Sequence, residues 1–325
     1  MPETSRPELT APLLTPLMLS AARDLAKQLD VRAVLVYADA FADCQSLSDF
    51  VGCLEHTEVV LATRDPSSCD AEERPGVSVI GVPDVRLSRV GQVKAALLLA
   101  VSRQLIRQGD HVLCLAGVAG SGVLDSLFVT TVSEQLELFA KSNSTDVPRT
   151  ARIEVFERAL DIAMSLGAEG REGRPVGTAF VIGDTEAVLR HSDQLILNPF
   201  HGYPEDERNV LDPRLLETLK EFSTFDGAFI IRDDGVLETA GRYLRSTIPG
   251  EPLPRGLGAR HQSAAAITAA THAVAITVSE STGNVTVYEQ GHLLFEIEKP
   301  RPAGIMPQGT DIAPAEVLQE GGEVD

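Results

Sequence analysis

Tryptophan is absent from the 325 residues, and aromatic side chains make up only 5% of them. Lysine is nearly missing too: five lysines stand against 23 arginines. Acidic residues number 47 against 28 basic ones, for a formal net charge of −19. So acidic a chain excludes a broad nucleic-acid footprint, which needs basic surface, but not one nucleotide in a local pocket. No apolar run approaches the ~20 residues of a membrane-spanning helix. The start, Met1-Pro2-Glu3-Thr4, has neither the basic end nor the apolar core of a secretory signal. A cytoplasmic chain with no membrane partner is the expectation. Cys44, Cys53, Cys69 and Cys114 show no metal-ligand spacing and read as reduced thiols. A Walker lysine motif and a kinase-type glycine loop are also missing.

What is present is 43% hydrophobic residues, in a length that suggests two domains of ordinary size. In the first half, apolar spacing predicts helices over Pro16–Leu29, Phe41–Leu54 and Val85–Gln108. Strand-like runs fall at Ala33–Tyr37, Val59–Ala62, Val77–Val82 and His111–Ala116. Strands alternating with helices imply βαβ units and a parallel sheet. Thr130–Phe139 reads equally as a last strand or a helix. The polar stretch 142–148, closed by Pro148, reads as a linker.

Beyond it, Ala151–Leu166 is an amphipathic helix, followed by strand-like Val176–Ile182 and Gln194–Leu197 and a helix at Pro213–Phe222. The pattern then changes. Ala228–Ile231, Val236–Thr239, Ala273–Val278, Val285–Tyr288 and Leu293–Ile297 are short strands split by turn residues, the spacing of antiparallel hairpins. A helix spans Gln262–Thr271. The expected fold is therefore α/β: an N-terminal parallel α/β domain, then a mixed or antiparallel sheet with flanking helices. Domain limits are expected at 1–143 and 150–298, with a Pro-, Gly- and Glu-rich disordered tail over 301–325.

Four constellations in the second half carry chemistry. Asp226-Gly227-Ala228 places a carboxylate and two small residues at a strand entrance, where a ligand can approach the backbone. Gly258-Ala259-Arg260-His261 combines a flexible glycine, a helix start and a planar cation, all suited to phosphate. Ser279 and Glu280 follow a strand and offer oxygens to phosphate or a divalent ion. Tyr243 and Leu244 offer a purine wall. Taken singly, each has a plain alternative: a turn, a helix cap, a polar hairpin, core packing. Together they make the inventory of phosphoryl or nucleotidyl transfer.

In this order the residues resemble the diadenylate cyclase domain. That family carries Asp-Gly-Ala, Tyr-Leu, Gly-Thr-Arg-His-Arg and Ser-Glu-Glu-Thr-Gly; this chain has Asp226-Gly227-Ala228, Tyr243-Leu244, Gly258-Ala259-Arg260-His261-Gln262 and Ser279-Glu280-Ser281-Thr282-Gly283. The segments Arg171-Glu172-Gly173 with Gly177–Asp184, and Gln194–Phe200, are similar to the start of that domain. Departures are Ala259, Gln262 and Ser281, the last two each removing a charge. The first half more weakly resembles the C-terminal domain of pyruvate kinase, through Gly109-Asp110, a strand and the glycine-rich Gly117–Gly122. That pairing is similar to the archaeal-type diadenylate cyclases.

The resemblance implies condensation of two ATP into cyclic di-AMP and two pyrophosphates by two domains face to face, hence a homo-oligomer. It implies Mn²⁺ or Mg²⁺ on Asp226 and Glu280, with Asp226 activating the hydroxyl. Arg260 and His261 would serve phosphate and developing charge, Ser279 phosphate and metal, and Tyr243 and Leu244 adenine. Gly227, Ala228, Gly258 and Ala259 would let nucleotide approach. Two rivals stand beside it: a weakened nucleotide-binding sensor of the same fold, on the strength of Gln262 and Ser281, and a metabolic enzyme with its site at Gly117–Gly122.

Overall fold

The computed structural model describes residues 11–41, 44–52, 54, 57–68, 75–132, 149–245 and 258–302. The first half runs α1 (Ala11–Gln28), β1 (Ala33–Tyr37), α2 (Cys44–Gly52), β2 (Glu58–Thr63), β3 (Val77–Gly81), β4 (Val85–Arg86), α3 (Arg89–Ser102), β5 (His111–Val118) and β6 (Val123–Thr131). Five strands form one sheet in the order β3-β2-β1-β5-β6. Every pairing is parallel except β5 with β6. All of β1 and nearly all of β2 are buried, as strands covered on both faces must be, so their sequences are continuous apolar runs.

The second half runs α4 (Arg149–Glu169), β7 (Thr178–Ile182), α5 (Thr185–Arg190), β8 (Ser192–Gln194), α6 (Leu216–Phe222), β9 (Ala228–Ile231), β10 (Leu237–Leu244), α7 (Ala259–Ala270), β11 (Val274–Val278), β12 (Val285–Glu289), β13 (His292–Ile297) and β14 (Arg301–Pro302). Seven strands form a mixed sheet, β13-β12-β11-β7-β9-β10-β8. Only β7 and β9, near its middle, are parallel; their neighbours run against them. The α/β expectation holds, with one refinement: the first sheet ends on an antiparallel strand.

Several local readings change. Val85–Gln108 is not one helix. Val85 and Arg86 pair with β14, and the Ser88 hydroxyl caps α3 by accepting from the Gly91 N–H, a start signal that the apolar run around it conceals. Gln104 takes a positive φ of 60° just past the helix end. Leu195–Leu197 lies beyond β8 rather than in a strand. Strand β10 extends through Leu244 and so carries Tyr243 and Leu244 itself. Helix α7 begins at Ala259, which puts Arg260 and His261 in its first turn rather than before it. Gly117–Gly122 forms the hairpin between β5 and β6. The linker at 142–148, residues 133–139 and the tail from 303 onward lie outside the described residues, as do the side chains of Cys44, Cys53 and Cys69. Cys114 is a buried free thiol, and burial pushes its pKa up to about 12. Among the described residues no helix is long and apolar enough to cross a membrane.

One core spans both halves. Leu87, Val93, Ala96, Leu97 and Ala100 of the first half pack in the same cluster as Phe156, Ala159, Leu160 and Ala163 of α4 and as Phe180 and Phe229 of the second sheet. Helix α4 is therefore buried nearly all round, as a helix between two sheets must be. Arg103 reaches Glu157 through two hydrogen bonds, and the Lys94 amine donates to the Glu296 carbonyl. The other face of the second sheet is covered by α7, through Ala264, Ala265 and Ile267.

Candidate active site

Strand directions bring the four constellations to one end of the second sheet. Asp226 and Gly227 precede β9, and Gly177 precedes its parallel neighbour β7, with Ala179 beside Ala228. Strand β11 runs opposite to β7, pairing Val278 with Thr178, so Ser279 and Glu280 emerge at that same end. Strand β10 runs opposite to β9, pairing Arg242 with Ala228, which brings Tyr243 and Leu244 there too. Helix α7 starts at that end with Gly258 as its N-cap. A cleft of about 910 Å³ results, within the usual range for small-molecule sites. Asp226, Gly227, Ala228, Tyr243, Leu244, Gly258, Ala259, Arg260, His261, Ser279 and Glu280 all border it.

Arg260 is the hinge of the charge pattern. One guanidinium nitrogen donates to Glu280 Oε2 at 3.1 Å and another to Asp226 Oδ1 at 3.3 Å. The two carboxylates, 20 and 34 residues away in sequence, thus share one cation. Both are open to solvent, Asp226 with 89% and Glu280 with 61% of its side chain accessible. Among the described residues no three acidic, histidine or cysteine side chains gather into a metal cluster. Two exposed carboxylates still fit a hard divalent ion that completes its shell with phosphate oxygens and water.

Helix α7 presents its first turn to the cleft, where the backbone N–H groups lack intrahelical partners and suit an anion. His261 sits in that turn, half-buried. Its Nδ1 lies 3.1 Å from the Tyr288 hydroxyl and 3.2 Å from Thr277 Oγ1. Burial lowers its pKa, outweighing the pull of Glu296, and Arg260 pushes the same way as burial. Burial thus favours the neutral ring over the charged one. A neutral imidazole offers a ligand a hydrogen bond rather than a charge. Ser279 Oγ is 3.3 Å from Ser281 Oγ, within the turn that follows β11.

Gly227 has φ of 108°, and a Cβ there would stand 2.6 Å from the Arg242 backbone nitrogen; only glycine fits. The two residues of the expected purine wall differ in exposure. Tyr243 is half-exposed while Leu244 is buried beneath α7, because neighbours on a strand point to opposite faces. Both border the cleft, by different amounts of exposed surface. Leu195, half-exposed at the cleft, supplies the apolar surface that sequence reasoning missed. It is held by its N–H on the Gly241 carbonyl, and a Cβ at Gly241 would strike Ile196.

Two more residues escaped the sequence. Ser263 borders the cleft; its place one turn beyond Arg260 was the signal that could have found it. At Gly177 a Cβ would lie 2.5 Å from an Arg260 guanidinium nitrogen and 2.8 Å from Glu280 Cβ. The arginine lies on bare backbone.

Comparison with known proteins gives two family matches. Residues 165–293 match the family described as DisA bacterial checkpoint controller nucleotide-binding, and residues 15–140 match one described as probable sensor domain DacZ_P. A diadenylate cyclase of Methanocaldococcus jannaschii is 30% identical over 294 residues, covering 85% of this chain and 94% of its own length. A diadenylate cyclase of Haloferax volcanii is 35% identical over 270 residues, covering 80% and 95% respectively. Among solved structures, DacA from Staphylococcus aureus aligns with 43% of this chain and 84% of its own at 20% identity, with a TM-score of 0.28.

Proposed function

The chain belongs to the diadenylate cyclase family, and from that premise we propose that it condenses two ATP molecules into cyclic di-AMP, releasing two pyrophosphates. The observation that carries this reading is the convergence on one cleft of Asp226, Arg260, His261 and Glu280, with Arg260 spanning both carboxylates. Each chain holds one ATP, and two clefts face each other in a homo-oligomer. The 3′-oxygen of one nucleotide bonds to the α-phosphorus of the other as the bond from that phosphorus to the bridging oxygen breaks. Pyrophosphate leaves, and the hydroxyl proton passes to the Asp226 carboxylate. The same step in the opposite sense closes the ring.

Arg260 and the first-turn N–H groups of α7 bind the phosphates and meet the charge that develops on them. His261 donates a neutral hydrogen bond to the same oxygens, and Ser279 adds a hydroxyl. Tyr243 and Leu195 flank adenine, while Gly227, Ala228, Gly258 and Ala259 keep the backbone approachable. Asp226 and Glu280 would hold Mn²⁺ or Mg²⁺, which neutralises phosphate charge when bound. We also read residues 1–143 as a regulatory domain and 150–298 as the catalytic one, supported by separate family matches in each stretch.

Purified protein incubated with ATP and either ion should release cyclic di-AMP and pyrophosphate, identified by chromatography and mass spectrometry. Tight ATP binding with neither product would sink the catalytic reading in favour of a nucleotide sensor.

A further inference from the structure

Behind the cleft, β11 and β12 place two hydroxyls against one histidine. Tyr288 is wholly buried on β12, and Thr277 is wholly buried on the paired strand β11. Among the described residues the phenol has a single hydrogen-bond neighbour, His261 Nδ1 at 3.1 Å, and the side chain is closed to solvent. Its O–H proton must therefore go to that nitrogen or to nothing. Were Nδ1 itself protonated, it would donate to the phenol oxygen and leave the phenol proton buried without an acceptor, an expensive arrangement. Thr277 Oγ1 lies 3.2 Å from the same nitrogen but has a second acceptor, the Thr286 carbonyl at 3.5 Å, which the phenol lacks among the described residues.

We infer that Tyr288 is a positioning residue, which donates to Nδ1 and so fixes His261 as the tautomer carrying its proton on Nε2. Nδ1 is the end of the ring spent on the interior, and Nε2 is the end left to the cleft that His261 borders. The cleft thereby receives a fixed N–H donor in place of a ring that can flip between donor and acceptor. The charged groups around the ring, Glu296 on β13 and Arg260 on its own helix, have opposing effects on its protonation. They do not choose between its nitrogens; the phenol does. This inference rests on the proposed function only where it takes the cleft-side partner to be a nucleotide phosphate.

The test reads the ring directly. Protein labelled with ¹⁵N-histidine gives signals from seven histidines, and His261→Gln identifies the one that matters. In wild type, Nδ1 should show the shift of an unprotonated nitrogen and Nε2 that of a protonated one. In Tyr288→Phe that preference should relax towards the mixture of a free imidazole. Cyclic di-AMP synthesis should fall about tenfold, as is usual for losing a partner that orients a histidine. In the His261→Gln background, where the amide has no tautomers to choose between, Tyr288→Phe should cost less than about twofold. A wild-type ring protonated on Nδ1 would overturn the inference, as would a Tyr288→Phe loss equally large in both backgrounds. Because the spectrum needs no turnover, a protein that makes no cyclic dinucleotide would defeat the proposed function and leave the tautomer result readable.

Discussion

Among the described residues Asp226 and Glu280 have no donor apart from Arg260, so each change among the three is expected to be felt by the others. Asp226→Asn removes a charge at constant shape. It should abolish synthesis, a loss on the order of 3–4 kcal/mol or more in transition-state stabilisation, while leaving the unfolding midpoint within a degree or two; product within a few-fold of wild type would exclude Asp226 from the chemistry. Gly177→Ala is the subtler case. Its new Cβ would occupy the place of the guanidinium, and Glu280 Cβ, close to the backbone, cannot retreat far. The variant should copy Arg260→Ala, lowering kcat/KM by roughly 10- to 100-fold as one charge-assisted contact is lost. Unchanged kinetics would show that Arg260 works from another rotamer. His261 gives the site a pH signature. Its folded pKa lies below the ordinary histidine value, so between the two values the unfolded chain takes up a proton that the folded chain refuses. Stability should therefore fall as pH drops through that window. Melting temperatures from pH 8 to 5 should show a slope that is shallower in His261→Gln; equal slopes would mean the ring titrates normally.

The elements that build the site owe their position to side chains with no chemistry. Phe180 of β7 and Phe229 of β9 stack with centroids 5.1 Å apart, and Phe200 approaches Phe229 at 6.5 Å. This ties together the two parallel strands whose entrances hold Gly177 and Asp226. Phe229→Ala should cost about 3–5 kcal/mol in urea unfolding, and a loss below about 1 kcal/mol would show that the strands are held in register by other contacts. At this scale the sequence was readable where the information is local. The runs Ala33–Tyr37 and Ala228–Ile231 are strands with the limits expected, and each chemical motif lies at or within one of the elements expected around it. It was unreadable where partners come from afar. Nothing near Gly177 announces Arg260, 83 positions on; the pleat of β10 had to be seen before Leu244 could be separated from Tyr243. Ser88 cut the long helix short because one hydroxyl capping a backbone N–H outweighs a continuous apolar pattern.

For the whole molecule, the proposed pairing of two clefts makes activity a matter of company. Specific activity should rise with protein concentration until pairs saturate. When Asp226→Asn chains are mixed into wild type, synthesis should fall as the square of the wild-type fraction, since a mixed pair makes one of the two bonds and stalls at the linear dinucleotide. A linear dilution curve, with subunit exchange verified by labelled chains, would mean that one chain completes the reaction alone.

The core that runs through α3 and α4 bears on how such a molecule can be governed. Two bodies joined by a flexible strap can signal by swinging, and their interface is then polar and modest in area. Here the filling is common to both, and a close-packed interior yields little before it passes a displacement on. Lys94, on the first half, grips the carbonyl of Glu296, the residue whose charge is felt by both His261 and Tyr288. News of an event in the first sheet would thus travel as a push through shared filling, over a short distance, to the ring that faces the cleft. A molecule packed in this way would pass a disturbance on by small shifts of its filling rather than by swinging one half against the other.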